Sequence, residues 1–166
     1  MNFETIILIL ATLASGLIAG LFYAWTISVT PGLKRIGDEH YLRAFQAMNR
    51  AILNPVFFIF FFGLVILLPL LCYLNFSSPL SGRFWIITAA TIIYMAGIMA
   101  VTIFGNVPMN NTLEVLHIES MNSRDMSLFR DNFENTWNRL NMIRTISSAI
   151  SFLLLILAFL QHNVDN

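Results

Sequence analysis

Residues 137–160 read WNRLNMIRTISSAISFLLLILAFL, a polar helical face that runs straight into an apolar span. At helical spacing Trp137, Asn141, Arg144, Thr145 and Ser148 fall at i, i+4, i+7, i+8 and i+11, on one face of one helix. An arginine inside such a span costs about 2.5–3.5 kcal/mol unless it reaches water, an anion or hydrogen-bond acceptors. Other helices must bring those acceptors, or a ligand must complete the set.

The rest of the chain supplies the helices. Of 166 residues, 57% are hydrophobic and 11% charged, whereas a soluble domain carries about a quarter charged residues. Apolar runs at about residues 6–29, 52–74, 85–106 and 142–161 approach or exceed the ~20 residues that cross a bilayer. The expected fold is all-α: a four-helix transmembrane bundle, one integral membrane domain embedded in the lipid bilayer. Mean hydropathy is +0.73 and formal net charge is zero, so no nucleic-acid partner is indicated. The single cysteine, Cys72, excludes an intrachain disulfide and reads as packing or lipid-facing filler.

The first run is followed, not preceded, by Lys34 and Arg35, so it is expected to be an uncleaved span. Gly16 and Gly20 form a GxxxG, read as close packing within the protomer before a homo-oligomer face. Pro31-Gly32 is expected to stop this helix. Asp38 is expected to cap an amphipathic extension before the second span, with Leu42, Phe45, Met48 and Ile52 on one face. Pro55 predicts a kink after Asn49, Arg50 and Asn54. Asn75–Gly82 is turn-rich, and Pro108 perturbs the helix between Asn106 and Asn110. Thr112–Asn135 is expected to form a helical cytoplasmic loop, its charges, Arg130 and Glu134 included, a solvated face.

Basic residues set the orientation. Lys34, Arg35, Arg43, Arg50, Arg124, Arg130 and Arg139 share one side of a four-span topology, with Arg144 at its edge, and Arg83 alone lies opposite. The large connectors are therefore expected in the cytoplasm, with both termini outside, as in a bacterial inner-membrane protein. The same end gathers Ser28, Asn49, Arg50, Asn54, Asn106, Asn110, Asn111, Trp137, Asn141, Arg144 and Thr145, and the other end shows nothing comparable. Converging hydrogen-bonding groups in low dielectric are a structural network or a site. Taken singly, asparagines cap helices and arginines snorkel to headgroups.

GLIAGLFYAW (16–25), FQAMNRAILNP (45–55), FGNVPMNN (104–111) and WNRLNMIRT (137–145) resemble, in order, the signatures of the DUF1772-type anthrone oxygenase family. The resemblance implies a small four-span membrane protein. Some polyketide-pathway members oxidise anthrones to anthraquinones with molecular oxygen. Asn49, Arg50, Asn54 and Pro55 match one element; Asn106, Pro108, Asn110 and Asn111 a second; Trp137, Asn141, Arg144 and Thr145 a third. Tyr23 and Trp25 stand where phenylalanines are usual, and Met109 where leucine is commoner. On this likeness Arg50 or Arg144 would stabilise a substrate anion, with Asn49, Asn106, Asn110 or Asn141 orienting it. Phe22, Trp25 and Trp137 would wall an aromatic slot, and Asn54, Asn111, Thr145 and Ser28 would add contacts.

No acid or histidine falls within these motifs to act as a base. His40, His117 and His162 stand in no spaced ligand motif, so no metal, haem or other cofactor is expected. Three classes stay open: an oxygen-using enzyme for a planar hydrophobic molecule, a non-catalytic binder or carrier of a lipid or hydrophobic metabolite, and a structural or partner membrane protein.

Overall fold

Apolar length and the placement of proline decide where these helices begin and end. The computed structural model describes residues 2–77 and 80–162, the side chain of His162 excepted. Ser78 and Pro79 of the turn-rich connector, and that imidazole, lie outside the described residues. Five helices follow in order: α1 (Phe3–Leu33), α2 (Asp38–Ile52), α3 (Pro55–Leu74), α4 (Gly82–Glu114) and α5 (Ser123–His162). No strand occurs among the described residues. α1, α3, α4 and α5 are long and apolar enough to cross a membrane, and Ile59, Ile66, Ile92 and Phe104 turn outward from the bundle, as lipid-facing side chains do.

α5 sets the second layer. Its 40 residues reach about 60 Å at 1.5 Å per residue, twice the ~30 Å hydrocarbon thickness. About half of it therefore stands beyond the span. The expected loop helices are instead this continuous extension, preceded by one short turn at Ile118–Ser120. Against it packs α2, whose apolar face buries Tyr41, Leu42 and Phe45 among Leu33, Leu113, Ile118, Phe133 and Trp137. The membrane core is separate and runs through Leu8, Leu64, Leu68, Ile87, Tyr94, Ile98 and Leu155.

Four local expectations are corrected. Pro31 does not stop α1, which runs on to Leu33. A widened π-turn at Trp25–Val29 precedes it, and that turn takes up the carbonyl clash a proline ring imposes in a regular helix. Pro108 is accommodated likewise, after a π-turn at Thr102–Asn106. Asp38 is not the cap of α2: Gly37 holds that position and Asp38 accepts from Arg130 Nη1 at 2.9 Å. Pro55 marks a break, not a kink, because Leu53 leaves the helical region and Asn54 caps α3 by accepting from Phe57 N at 3.0 Å.

Arg130 is the fourth correction. It is buried, and it donates to the carbonyls of Ile36, Lys34 and Leu33 at 2.7, 3.2 and 3.4 Å and to Glu134 at 2.9 Å, with its guanidinium 4.4 Å from the Tyr41 ring. It thus closes the C-terminal end of α1, where a cation suits the free carbonyls. Burial, and then Glu134, hold the Tyr41 hydroxyl above the usual phenol range against the opposing Arg130 charge, so the ring stays neutral at physiological pH. The opposite end of the bundle is not featureless either: Arg83 and Glu4 form a largely buried ion pair at 2.7 Å.

Small residues bring the spans together. A Cβ on Gly16 would lie 3.0 Å from the Phe152 ring of α5, whereas Gly20 meets nothing within 4 Å. The glycine pair therefore packs within the protomer at Gly16. Gly97, in the π-turn Met95–Ala100 of α4, lies against Ser147 so closely that a Cβ would overlap its side chain. Gly97→Val is expected to destabilise the protein by about 1–3 kcal/mol through overpacking, read as a lower denaturant midpoint in detergent. An unchanged midpoint would show that α4 and α5 can part freely.

Candidate functional site

The π-turns Trp25–Val29 and Thr102–Asn106 both contribute to the lining of a cavity at the end of the bundle where α2 lies, the basic end. In α1, next to the widened turn, the Phe22 carbonyl accepts from the Trp25 backbone N–H and also receives side chains of α5. Thr145 Oγ1 lies 3.1 Å from it and Asn141 Nδ2 donates to it at 3.5 Å. Asn141 Nδ2 also donates to Thr26 Oγ1 at 2.9 Å, and the Thr26 and Thr145 hydroxyls lie 2.8 Å apart. The polar face read from the sequence is therefore tied to α1. Its amide oxygen, Asn141 Oδ1, is left to accept from Arg144 Nη2 at 2.9 Å.

Arg144 is 7% exposed and has no carboxylate partner among the described residues. Its guanidinium lies 4.5 Å from the Phe22 ring and 5.3 Å from the Trp137 ring. Nε is buried without a hydrogen-bond partner among the described residues. Two aromatic faces contribute about 0.5–2 kcal/mol each, and the Asn141 bond about 1.5–3 kcal/mol. These terms offset the cost of a cation in an apolar span without giving it a counter-charge.

The cavity holds about 160 Å³. Phe22 and Trp25 of α1, Phe57, Phe58, Phe61 and Phe62 of α3, and Trp137 of α5 make its aromatic walls. Trp25 and Trp137 stand 5.1 Å apart, and Phe57 stacks on Phe61 at 5.0 Å. Its polar groups are Asn49, Thr102, Asn106, Asn110, Asn141 and Arg144. Four of them carry buried atoms with no hydrogen-bond partner among the described residues: Asn49 Nδ2, Thr102 Oγ1, both amide atoms of Asn106, and Arg144 Nε. Asn106 is fully buried. Leaving one such group unpaired costs about 1–3 kcal/mol, so four around one hollow mark a place where a polar ligand atom would stabilise the fold.

The structure thus gathers Phe22, Trp25, Asn49, Asn106, Asn110, Trp137, Asn141 and Arg144 at one cavity. Asn110 Oδ1 accepts from Trp137 Nε1 at 2.8 Å and fixes that ring. Thr145 is buried behind the wall. Arg50 is elsewhere: it is exposed and its Nε donates to Glu114 Oε1 at 2.5 Å. The expectation of two guanidinium groups about one point is corrected to one, because Glu114 at the end of α4 draws Arg50 to the surface. Asn54 is the helix cap already described, and Asn111 and Ser28 are exposed. Sequence reasoning passed over Thr26, Thr102 and the four phenylalanines of α3. The latter were signalled by aromatic pairs one helical turn apart, Phe57/Phe58 and Phe61/Phe62.

Among the described residues no three His, Cys, Asp or Glu side chains come together as a metal site would require. No curated protein and no solved structure matches the chain. The family model described as anthrone oxygenase matches residues 57–154, which hold Asn106, Asn110, Trp137, Asn141 and Arg144. That match covers more than half of the chain and agrees with the multi-pass apolar bundle; the chain belongs to the anthrone oxygenase family.

Proposed function

We propose that the cavity oxidises a planar, membrane-partitioning anthrone-type molecule with molecular oxygen. Arg144 supports this reading most directly: a buried cation without a carboxylate partner among the described residues, set between aromatic rings beside unpaired amides. An anthrone tautomer is a phenol, and its phenolate is electron-rich enough to pass an electron to oxygen. The overall change inserts one oxygen atom at the methylene carbon, which loses both hydrogens, and the second oxygen atom leaves with them as water. Arg144 stabilises the phenolate oxygen, Asn106 and Asn49 orient it, and the phenylalanines exclude water.

Among the described residues no carboxylate or imidazole lines the cavity, so the reaction draws on the substrate's own ionisation, with no side chain acting as base. The rate then follows the ionised fraction of substrate. It rises with pH through the substrate's own interfacial pKa. The test is oxygen consumption and anthraquinone formation by protein in vesicles, across pH, with two anthrones of different acidity. An inflection that moves with the substrate supports the reading, and no turnover above empty vesicles overturns it. The same lack of a base favours a second reading, a binder of such molecules without chemistry, which predicts bound ligand and no oxygen uptake. The excess of basic residues at this end supports placing it in the cytoplasm of a bacterial cell, with both termini outside.

A further inference from the structure

We infer that the cavity is loaded sideways from the bilayer, through the gap between α3 and α4, by a planar molecule that enters with its ionisable oxygen first. The inference rests on the cavity being a ligand site and adds the route and the orientation of what it takes. α3 packs against α4 along Gly82–Tyr94, where the Tyr94 hydroxyl donates to the Phe61 carbonyl at 2.7 Å. Beyond Tyr94, toward the basic end, close backbone approaches between the two helices are few, and the cavity lies between their side chains. The rim of the gap is Phe58, Phe62, Ile103 and Val107, all apolar and all turned outward, Phe62 and Ile103 each 48% exposed. Phe62 stands about 10 Å along α3 from Pro55 at 1.5 Å per residue. That depth meets acyl chains rather than water.

The watery side is latched. α2 lies over the cavity with Asn49, Ile52 and Leu53 beneath it. It is tied to α4 and the turn that follows by Gln46 Nε2, which donates to the Leu113 and Leu116 carbonyls at 2.9 and 3.2 Å. Arg50 to Glu114 and Arg43 to Glu119, the latter at 2.7 Å, add two ion pairs along the same seam. Water-side entry would break all of these, and entry from the lipid breaks none. Size points the same way. A volume of about 160 Å³ is close to that of a ~150 Å³ cavity that encloses benzene. A three-ring molecule with its oxygen at Arg144 and Asn106 therefore leaves its far ring in the gap, against Phe62 and Ile103.

The experiment uses the full chain in nanodiscs and a dihydroxyanthraquinone as probe, its binding followed by quenching of Trp25 and Trp137. Ile103→Phe with Val107→Phe should slow association by about tenfold and slow dissociation too, with Kd shifting by less than the rates because Ile103 also touches the seated ring. Ile103→Ala with Val107→Ala should speed both, which keeps the test decisive if the crowded variant folds poorly. Association should also scale with probe per lipid rather than probe per volume of water. Unchanged rates in both variants, or dependence on the aqueous concentration alone, overturn lateral loading, as does failure of the wild type to bind the probe. Binding with the expected rates but no oxygen uptake with an anthrone would sink the oxygenase reading and leave the route standing.

Discussion

Arg144→Met is expected to lower anthrone turnover by at least about a hundredfold, the scale of losing one preorganised charge stabiliser, while unfolding stability stays within about 2 kcal/mol of the wild type. The two halves of this result have opposite physical origins. In the free protein Arg144 is a buried cation beside two aromatic rings and one amide oxygen, and swapping such a group for an apolar side chain of similar length is often neutral or stabilising. Against that gain, Asn141 Oδ1 loses its donor, at about 1–3 kcal/mol. The balance is near zero. A residue kept for packing alone would show the reverse pattern, with lost stability and unaltered turnover per folded molecule. Arg144→Lys separates charge from shape. It keeps the cation but loses the planar contact with Phe22 and Trp137, so turnover should fall between the two. Turnover and denaturant midpoint measured on the same reconstituted samples decide the matter, and full activity in the methionine variant would end the anion-stabilising role.

The contrast between Arg144 and Arg50 shows how far the sequence was legible. Both arginines sit next to asparagines at the mouth of an apolar run, and nothing local separates them. What does is Glu114, 64 residues from Arg50 at the last position of α4. The spans themselves were legible because an uninterrupted apolar run has few other uses. Their ends were not. Pro31 reads as a stop and Pro108 as a perturbation by the ordinary proline rule, yet each follows a π-turn and lies within a helix. At Phe22 the widened turn is held by side chains of α5, a contact between residues more than a hundred positions apart. The convergence of amides on one end was legible from topology alone, since antiparallel spans bring those four segments together. The aromatic wall from α3 was hidden in plain sight, because phenylalanines in a membrane run read first as lipid-facing bulk. Which of them turn inward depends on a helix rotation that periodicity cannot fix when every face is apolar.

Arg130→Met should be the most destabilising single change outside the membrane core, by about 3–5 kcal/mol, the usual cost of removing one partner from a buried charged network. Arg130 differs from Arg144 in what it leaves behind. Its loss strands the Lys34 and Ile36 carbonyls just past α1 and the largely buried Glu134 carboxylate, and removes a donor from the Leu33 carbonyl and from Asp38. It also uncovers the face of Tyr41, which lies fully buried in the second hydrophobic layer. The damage should be local first. Residues 34–37 form an exposed turn whose carbonyls are pinned from inside by this one side chain, and trypsin can cut there after Lys34 or Arg35. Cleavage at that turn should therefore accelerate in the variant before global unfolding is seen, and Arg130→Lys should restore protection in part, because an ammonium meets fewer of the five acceptors. Since Phe22 and Trp25 ride on the same helix, probe binding at the cavity should weaken as the turn loosens, although Arg130 touches none of the lining. Equal cleavage rates and equal midpoints in wild type and Arg130→Met would mean that α1 is held by its membrane contacts alone.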